Sequence, residues 1–417
     1  MYDKAENKIE IRIFGIRIRL SLSIGKFIIK NLPFIFYLLD YIVPKNDKKI
    51  VFNSEPDFSD NAYAYFKYIQ KYHKDEYECF WITQPGANTN LAKNAYTINS
   101  LKSIYHILTS KYFVTTHSSR FINFAKSKRH INMCLWHGMP LKKLGLNEYP
   151  LRDDLKTYYE TLGQNAYFFV TSDVFKLFMI PCFNADYSRL YITGQPRTDM
   201  IFSDDNKDKL QEFFGLNNFS KTIFYMPTYK ENLNVRVKQT SKEYTNIFYF
   251  DDYDEQQFIN YLEENNILFI MKPHPYDENF YKEHLDTIPK SKNFKLVFNE
   301  DFVNEDIYSY ELFKYVDLMI SDFSSVTLDY LILNRPVIYL NNLTDEYGEC
   351  RGMILPDNTE FFMPGVKTDS LDSLIKALNE NLYEDKYKQD REKILPLVHK
   401  YRDDKASERV YEIMRSL

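Results

Sequence analysis

The chain has 417 residues, enough for two or three domains, and its 44% hydrophobic and 27% charged content is a globular balance rather than a disordered one. Only 11 glycines occur, with no G-x-G-x-x-G and no G-x-x-x-x-G-K-[ST], which weighs against dinucleotide and P-loop chemistry; the net charge of −5 gives no global sign of nucleic acid. Cys79, Cys134, Cys182 and Cys350 stand alone without a C-x-x-C, against a zinc or disulfide framework and in keeping with a reducing cytoplasm.

Residues 1–50 carry ten Lys/Arg against five Asp/Glu, so the basic charge gathers at the start. No signal peptide is visible, and no stretch reaches the ~18 uncharged apolar residues of a membrane span. Residues 9–20 mostly alternate apolar and charged, which predicts a strand with a basic face. The stretch 24–43 is apolar and basic-flanked. One reading lays it on an anionic membrane, with Lys26 and Lys30 at headgroups and Phe34, Phe36, Tyr37, Leu38 and Leu39 inserted. The other packs it as a helix on the first domain.

Short apolar runs then alternate with helical patterns. Strands are predicted at 50–53, 78–83, 95–98, 112–116, 131–136, 167–171 and 190–193. A second set is predicted at 222–226, 267–272, 295–298, 317–321 and 336–340, with helices at 101–110 and 255–265 among the connections. This alternation belongs to parallel sheets covered by helices on both faces. A polar break at 203–208 separates the sets. The expected architecture is α/β, with two Rossmann-like domains facing across a cleft. The N-terminal segment spans 1–45, the domains 46–203 and 204–400, and a helical tail 401–417 is expected to cross back. Ligands of such sheets bind at the carboxyl ends of strands, so the cleft is the expected site.

The strand ends carry the candidate chemistry. The run Asn132–Trp136 leads into His137 and Gly138, with Lys142 and Lys143 close behind. A histidine there suits a general base near neutral pH, or a satisfied structural role in a turn. Gly194 to Asp199 places Arg197 after the strand at 190–193, and Met226 to Lys230 places Thr228 and Lys230 where they meet phosphate or cap a helix. Phe269 to Met271 runs into Lys272-Pro273-His274-Pro275. Proline on either side stiffens this loop, and Lys272 with His274 suits a phosphate oxygen. The strand ending at Ser321 opens on Asp322, Phe323, Ser324 and Ser325 before a helix containing Asp329. Amides at such a junction bind anions, although serine is also an ordinary cap there. Cys350-Arg351-Gly352 sets an arginine in a late loop. The acidic pairs at 153–154, 204–205 and 251–252 do not follow apolar strands, and no metal site is expected.

Taken in order, these blocks resemble the CDP-glycerol glycerophosphotransferase family of teichoic-acid primases and polymerases. Its W-H-G-T-P-L-K-x-x-G block stands here as Trp136 to Gly145, with Met139 in place of threonine. T-G-x-P-R-x-D is Thr193 to Asp199, and A-P-T-[WY] is Met226-Pro227-Thr228-Tyr229. The H-P block is His274-Pro275. S-D-[YF]-S-S is Ser321 to Ser325, followed by Asp329 and Arg335-Pro336, and L-R-G is Cys350 to Gly352.

The resemblance implies a B-type glycosyltransferase fold and transfer of glycerol phosphate, or another polyol phosphate, from a CDP-polyol to a hydroxyl with release of CMP. It implies His137 as the base on the acceptor hydroxyl and His274, Ser324 and Ser325 around the donor diphosphate. Pro227, Thr228, Lys272, Ser321, Asp322, Asp329 and Arg351 complete the expected donor set. Gly138, Lys142, Lys143 and Arg197 are the expected acceptor or phosphate contacts. No cofactor or metal is expected beyond the CDP-polyol donor. The expected acceptor is a lipid-linked glycan or polyol-phosphate polymer in teichoic-acid-like or capsular synthesis, reached from the cytoplasmic face of the membrane by a peripheral enzyme. Two alternatives stand beside this: a glycosyltransferase using a CMP-sugar such as CMP-sialic acid, and a non-catalytic polymer-binding or assembly protein.

Overall fold

The computed structural model describes residues 2–3, 8–13, 16–21, 36, 38–87, 89–98, 100–116, 129–148, 150–228, 246–341 and 352–417. The chain opens with a three-stranded sheet of β1 (Tyr2–Asp3), β2 (Lys8–Ile13) and β3 (Ile16–Ser21). The single strand expected over 9–20 is thus two antiparallel strands, with Ile13 opposite Ile16. Only Phe14 and Gly15 connect them, and there the apolar positions shift from odd (Ile9, Ile11, Ile13) to even (Ile16, Ile18, Leu20), a single break that marks the reversal.

The first large sheet holds β4 (Asn46–Asn53), β5 (Glu78–Thr83), β6 (Ala95–Thr97), β7 (Ser110–Thr115), β8 (Ile131–Cys134), β9 (Ala166–Val170) and β10 (Leu190–Ile192). Its order is β10-β9-β8-β7-β4-β5-β6, and every pair is parallel. The second holds β11 (Lys221–Tyr225), β12 (Ile267–Met271), β13 (Phe294–Leu296), β14 (Leu318–Ser321), β15 (Val337–Leu340) and β16 (Val366–Thr368). It runs β13-β12-β11-β14-β15-β16, again all parallel. Short β16, with only Thr368 buried, has too little apolar sequence to announce itself.

Both sheets reverse strand order once, beside β4 and beside β11. Those reversals open crevices at the carboxyl ends of the flanking strands, which is where doubly wound sheets bind ligands. Both faces of each sheet are covered, which is why β8 and β12 are buried along their whole length and β12 reads as a continuous apolar run. One buried cluster runs from Phe168 and Phe183 in the first half to Phe224 and Phe313 in the second, so the halves share apolar contact. Local chemistry sets the helix ends. The Ser172 hydroxyl accepts from Phe175 N at the start of the helix Asp173–Phe183, and Asn184 ends it in the left-handed conformation.

The last helix, Ala406–Ser416, packs Val410, Tyr411 and Met414 into the core of the first sheet. Lys405, before its first turn, supplies no side-chain acceptor. Asp199 supplies it from a distance, accepting from Ala406 N at 2.8 Å and Ser407 N at 2.7 Å. Near the other end of the chain, buried Asp40 accepts from Lys45 Nζ and lies 2.5 Å from His130 Nε2, tying residues 38–45 to the first sheet. Lys26, Lys30, Phe34 and Tyr37 lie outside the described residues. Among the described residues, no helix is long and apolar enough to cross a membrane.

Candidate active site

A cavity of about 640 Å³ opens where the carboxyl ends of the two sheets meet. From the first half it is lined by the loop after β4 (Glu55 to Asp60) and by His137, Gly138 and Lys142 after β8. The second half contributes Thr228 after β11, Lys272 and His274 after β12, and Ser324 and Ser325 after β14. Residues far apart in sequence converge because each follows a parallel strand at the same end of a sheet.

The two histidines are wired differently. His137 Nδ1 lies 3.3 Å from the Thr116 carbonyl oxygen. That oxygen can only accept, so Nδ1 carries the hydrogen and the neutral ring holds its lone pair on Nε2. The Trp136 ring stacks on the imidazole at 4.2 Å between centroids and fixes its plane. At His274 the direction reverses: the backbone N–H of Tyr276 donates to Nδ1 at 3.3 Å. The neutral His274 ring therefore carries its hydrogen on Nε2. One ring is arranged to take a proton at Nε2 and the other to donate a hydrogen bond from it.

Lys272 is buried, yet it lines the cavity. Burial holds its pKa below the usual lysine range, opposed by the Glu278 carboxylate. No carboxylate among the described residues pairs with its ammonium. A desolvated cation facing a cavity is a strong anion site. The Ser324 and Ser325 hydroxyls also line the cavity, and neither has a hydrogen-bond partner among the described residues.

Several expected contacts build the walls instead of lining the cavity. Asp322 accepts from Thr228 N at 3.1 Å and Thr228 Oγ1 at 2.8 Å, so its charge is spent on aligning the loop after β11. Ser321 Oγ donates to the Met226 carbonyl at 2.5 Å, and Pro227 is buried between these anchors. Asp329 accepts from Arg197 Nη2 at 2.5 Å and Tyr310 OH at 2.7 Å. Arg197 reaches the cavity wall, but Asp60 and Asp329 already balance its guanidinium. Lys143 lies against Gly352 rather than the cavity. Lys142 and Met353 form an isolated antiparallel bridge that stitches the halves together. Tyr229, Lys230, Cys350 and Arg351 lie outside the described residues. Among those described, no group of three or more His, Cys, Asp or Glu is placed to hold a metal.

Over residues 35–415 the sequence matches the family described as CDP-Glycerol:Poly(glycerophosphate) glycerophosphotransferase. The chain belongs to this glycerophosphotransferase family. It is 25% identical to the teichoic acid glycerol-phosphate primase of Bacillus subtilis (strain 168), over 70% of this chain and 71% of that protein. To the teichoic acid poly(glycerol phosphate) polymerase of Bacillus spizizenii it is 26% identical, over 84% and 86%. The ribitol-phosphate polymerase TarL of Staphylococcus aureus is 26% identical, over 69% of this chain but only 48% of that longer protein. Among solved structures, the wall teichoic acid polymerase TagF superposes with a TM-score of 0.71 at 20% identity, covering 95% of this chain and 96% of that one. A histidine-to-asparagine form of TagF soaked with CDPG gives 0.71 at 18% identity, over 95% of each chain.

In this glycerophosphotransferase, Asp60, Asn61 and Tyr310 stand outside the sequence motifs yet gather around Arg197 and its partner Asp329. The first two follow the apolar strand β4 through Glu55-Pro56-Asp57, a proline and acids at the carboxyl end of the first parallel strand. That position was the available signal. Tyr310 carried none, because its hydrogen bond to Asp329 beside Arg197 exists only once the halves meet.

Proposed function

We propose that the chain transfers glycerol phosphate, or a related polyol phosphate, from a CDP-polyol to a hydroxyl of a lipid-linked or polymeric acceptor, releasing CMP. Residues 46–203 form the acceptor side in this reading and 204–400 the donor side. The observation that carries it is the pair of cavity histidines with opposite ring-nitrogen arrangements, beside a buried lysine.

The acceptor oxygen attacks the phosphorus that bears the polyol. A new P–O bond forms as the bridging P–O bond breaks, and its electron pair leaves with CMP. The acceptor proton passes to Nε2 of His137, held in the correct tautomer by Thr116. His274 donates from Nε2 to the phosphate oxygen that gathers charge. Lys272 and the Ser324 and Ser325 hydroxyls hold the diphosphate. Displacement at phosphorus asks the protein for placement, charge stabilisation and a base, and these groups supply all three.

The enzyme works on the cytoplasmic face of the membrane in this reading, bound peripherally through residues 1–45. Leu38, Tyr41 and Ile42 are 46%, 62% and 67% exposed while Asp40 points inward, an apolar face turned to the outside beside a basic segment.

The test supplies CDP-glycerol, CDP-ribitol or CMP-sialic acid with a lipid-linked glycan acceptor and measures CMP. Release from one CDP-polyol is expected and identifies the donor. Release from the CMP-sugar alone would move the chain to sugar transfer.

A further inference from the structure

His137 occupies a backbone that does not hold itself. Trp136 before it has φ +53°, in the left-handed region, and Gly138 after it has φ +120°. An aromatic residue at positive φ persists only where its surroundings fix it.

We propose that Asn61 is the positioning residue for His137, acting on both of its flanks. On the near flank, Asn61 Nδ2 donates to the Trp136 carbonyl at 2.7 Å and approaches that of Leu135 at 3.5 Å. The far flank rests on Arg197, whose Nη2 lies 2.7 Å from where a Gly138 Cβ would stand. Asn61 places that arginine as well, since Arg197 N donates to Asn61 Oδ1 at 3.0 Å. The neighbouring Asp60 completes the hold, accepting from Arg197 Nη1 at 2.9 and 3.0 Å.

Asn61 is fully buried in the first turn of the helix Asp60–Tyr72 and does not line the cavity. Its amide orientation is determined by its partners: carbonyls face Nδ2 and an N–H faces Oδ1, so the flipped amide would oppose like groups. The side chain thus converts the rigid end of β4 into a fixed seat for the imidazole. A misplacement of about 1 Å at a reacting group costs on the order of a hundredfold in rate.

This inference rests on the reading of His137 as the base, and its test is separable from that reading. Asn61→Asp keeps the size but sets an oxygen against the Trp136 carbonyl; Asn61→Ser keeps a donor but shortens the reach and serves if the first variant does not fold. The full-length protein is labelled with 15N-histidine, and the His137 ring nitrogens are identified by their absence in His137→Ala. Wild type should show Nδ1 protonated and Nε2 bare. In the Asn61 variant that pattern should collapse to a tautomer mixture, with kcat lowered about a hundredfold and the donor KM within about threefold. An unchanged His137 pattern, or a loss of activity matched by loss of folded protein in both variants, overturns the proposal. Wild-type protein that releases no CMP would instead sink the functional reading, while the tautomer pattern would still test Asn61.

Discussion

Lys272 shows how burial shapes the chemistry of a single side chain. Its ammonium is desolvated in the wall of the cavity, and this lowers its pKa against the opposing pull of Glu278. A lysine shifted in this direction loses its charge at lower pH than a free one. Donor KM should therefore rise on the alkaline side before an ordinary lysine would titrate. Lys272→Arg, which stays charged throughout, should abolish that alkaline limb in a KM–pH profile. The histidines make a different prediction, because His137 takes a proton and His274 donates a hydrogen bond to the developing charge. His137→Ala and His274→Ala should each lower CMP release by about 10²- to 10⁴-fold, the usual range for a lost acid or base, with folding intact by circular dichroism. These side chains were legible in the sequence because each ends an apolar strand. Their tautomers were not, since Thr116 O and Tyr276 N meet the rings only in the fold.

Among the elements, the closing helix Ala406–Ser416 depends most on a remote contact. Asp199 accepts from the two amides at its start, and a carboxylate there also complements the helix dipole. Asp199→Ala should cost about 1–2 kcal/mol in denaturant unfolding. Faster hydrogen exchange confined to 406–416 would show that the helix end, and not the first sheet, has loosened. The sequence placed Asp199 in a motif without revealing this duty, because its partner lies more than 200 residues away. Most parallel strands were legible within one or two residues, since their buried stretches are largely apolar; β16 was missed, and the polar start of β4 at Asn46 lay outside the predicted 50–53. The opening hairpin was not, because its one signal is a shift of the apolar positions from odd to even across Phe14-Gly15.

For the molecule as a whole, the question is what holds the cavity closed. Arg197 joins Asp60 of the first half to Asp329 of the second, and its side chain is 5% exposed. Burial alone would lower its pKa, but Asp329 and Asp60 outweigh this and hold it above the ordinary arginine value. Arg197→Met would leave the buried Asp329 carboxylate and the half-buried Asp60 carboxylate without their shared cation. The expected loss is about 3–5 kcal/mol, the cost of orphaning a buried ion pair, read as a lowered melting temperature. Asp329→Asn, which keeps the shape but removes one attraction between the halves, should lose less. The two-sheet architecture was legible from the repeated strand–helix alternation. The clamp was not, because an arginine in one motif and an aspartate in another gain a shared purpose only when the halves meet.

The central claim is phosphoryl transfer from a CDP-polyol with His137 as the base. The most direct measurement is 31P NMR of purified enzyme with CDP-glycerol and a lipid-linked glycan acceptor. Loss of the diphosphate signals is expected with equal gains of CMP and one new phosphodiester, and near silence in His137→Ala. CMP forming without the phosphodiester, or the same product at the same rate in His137→Ala, would contradict it.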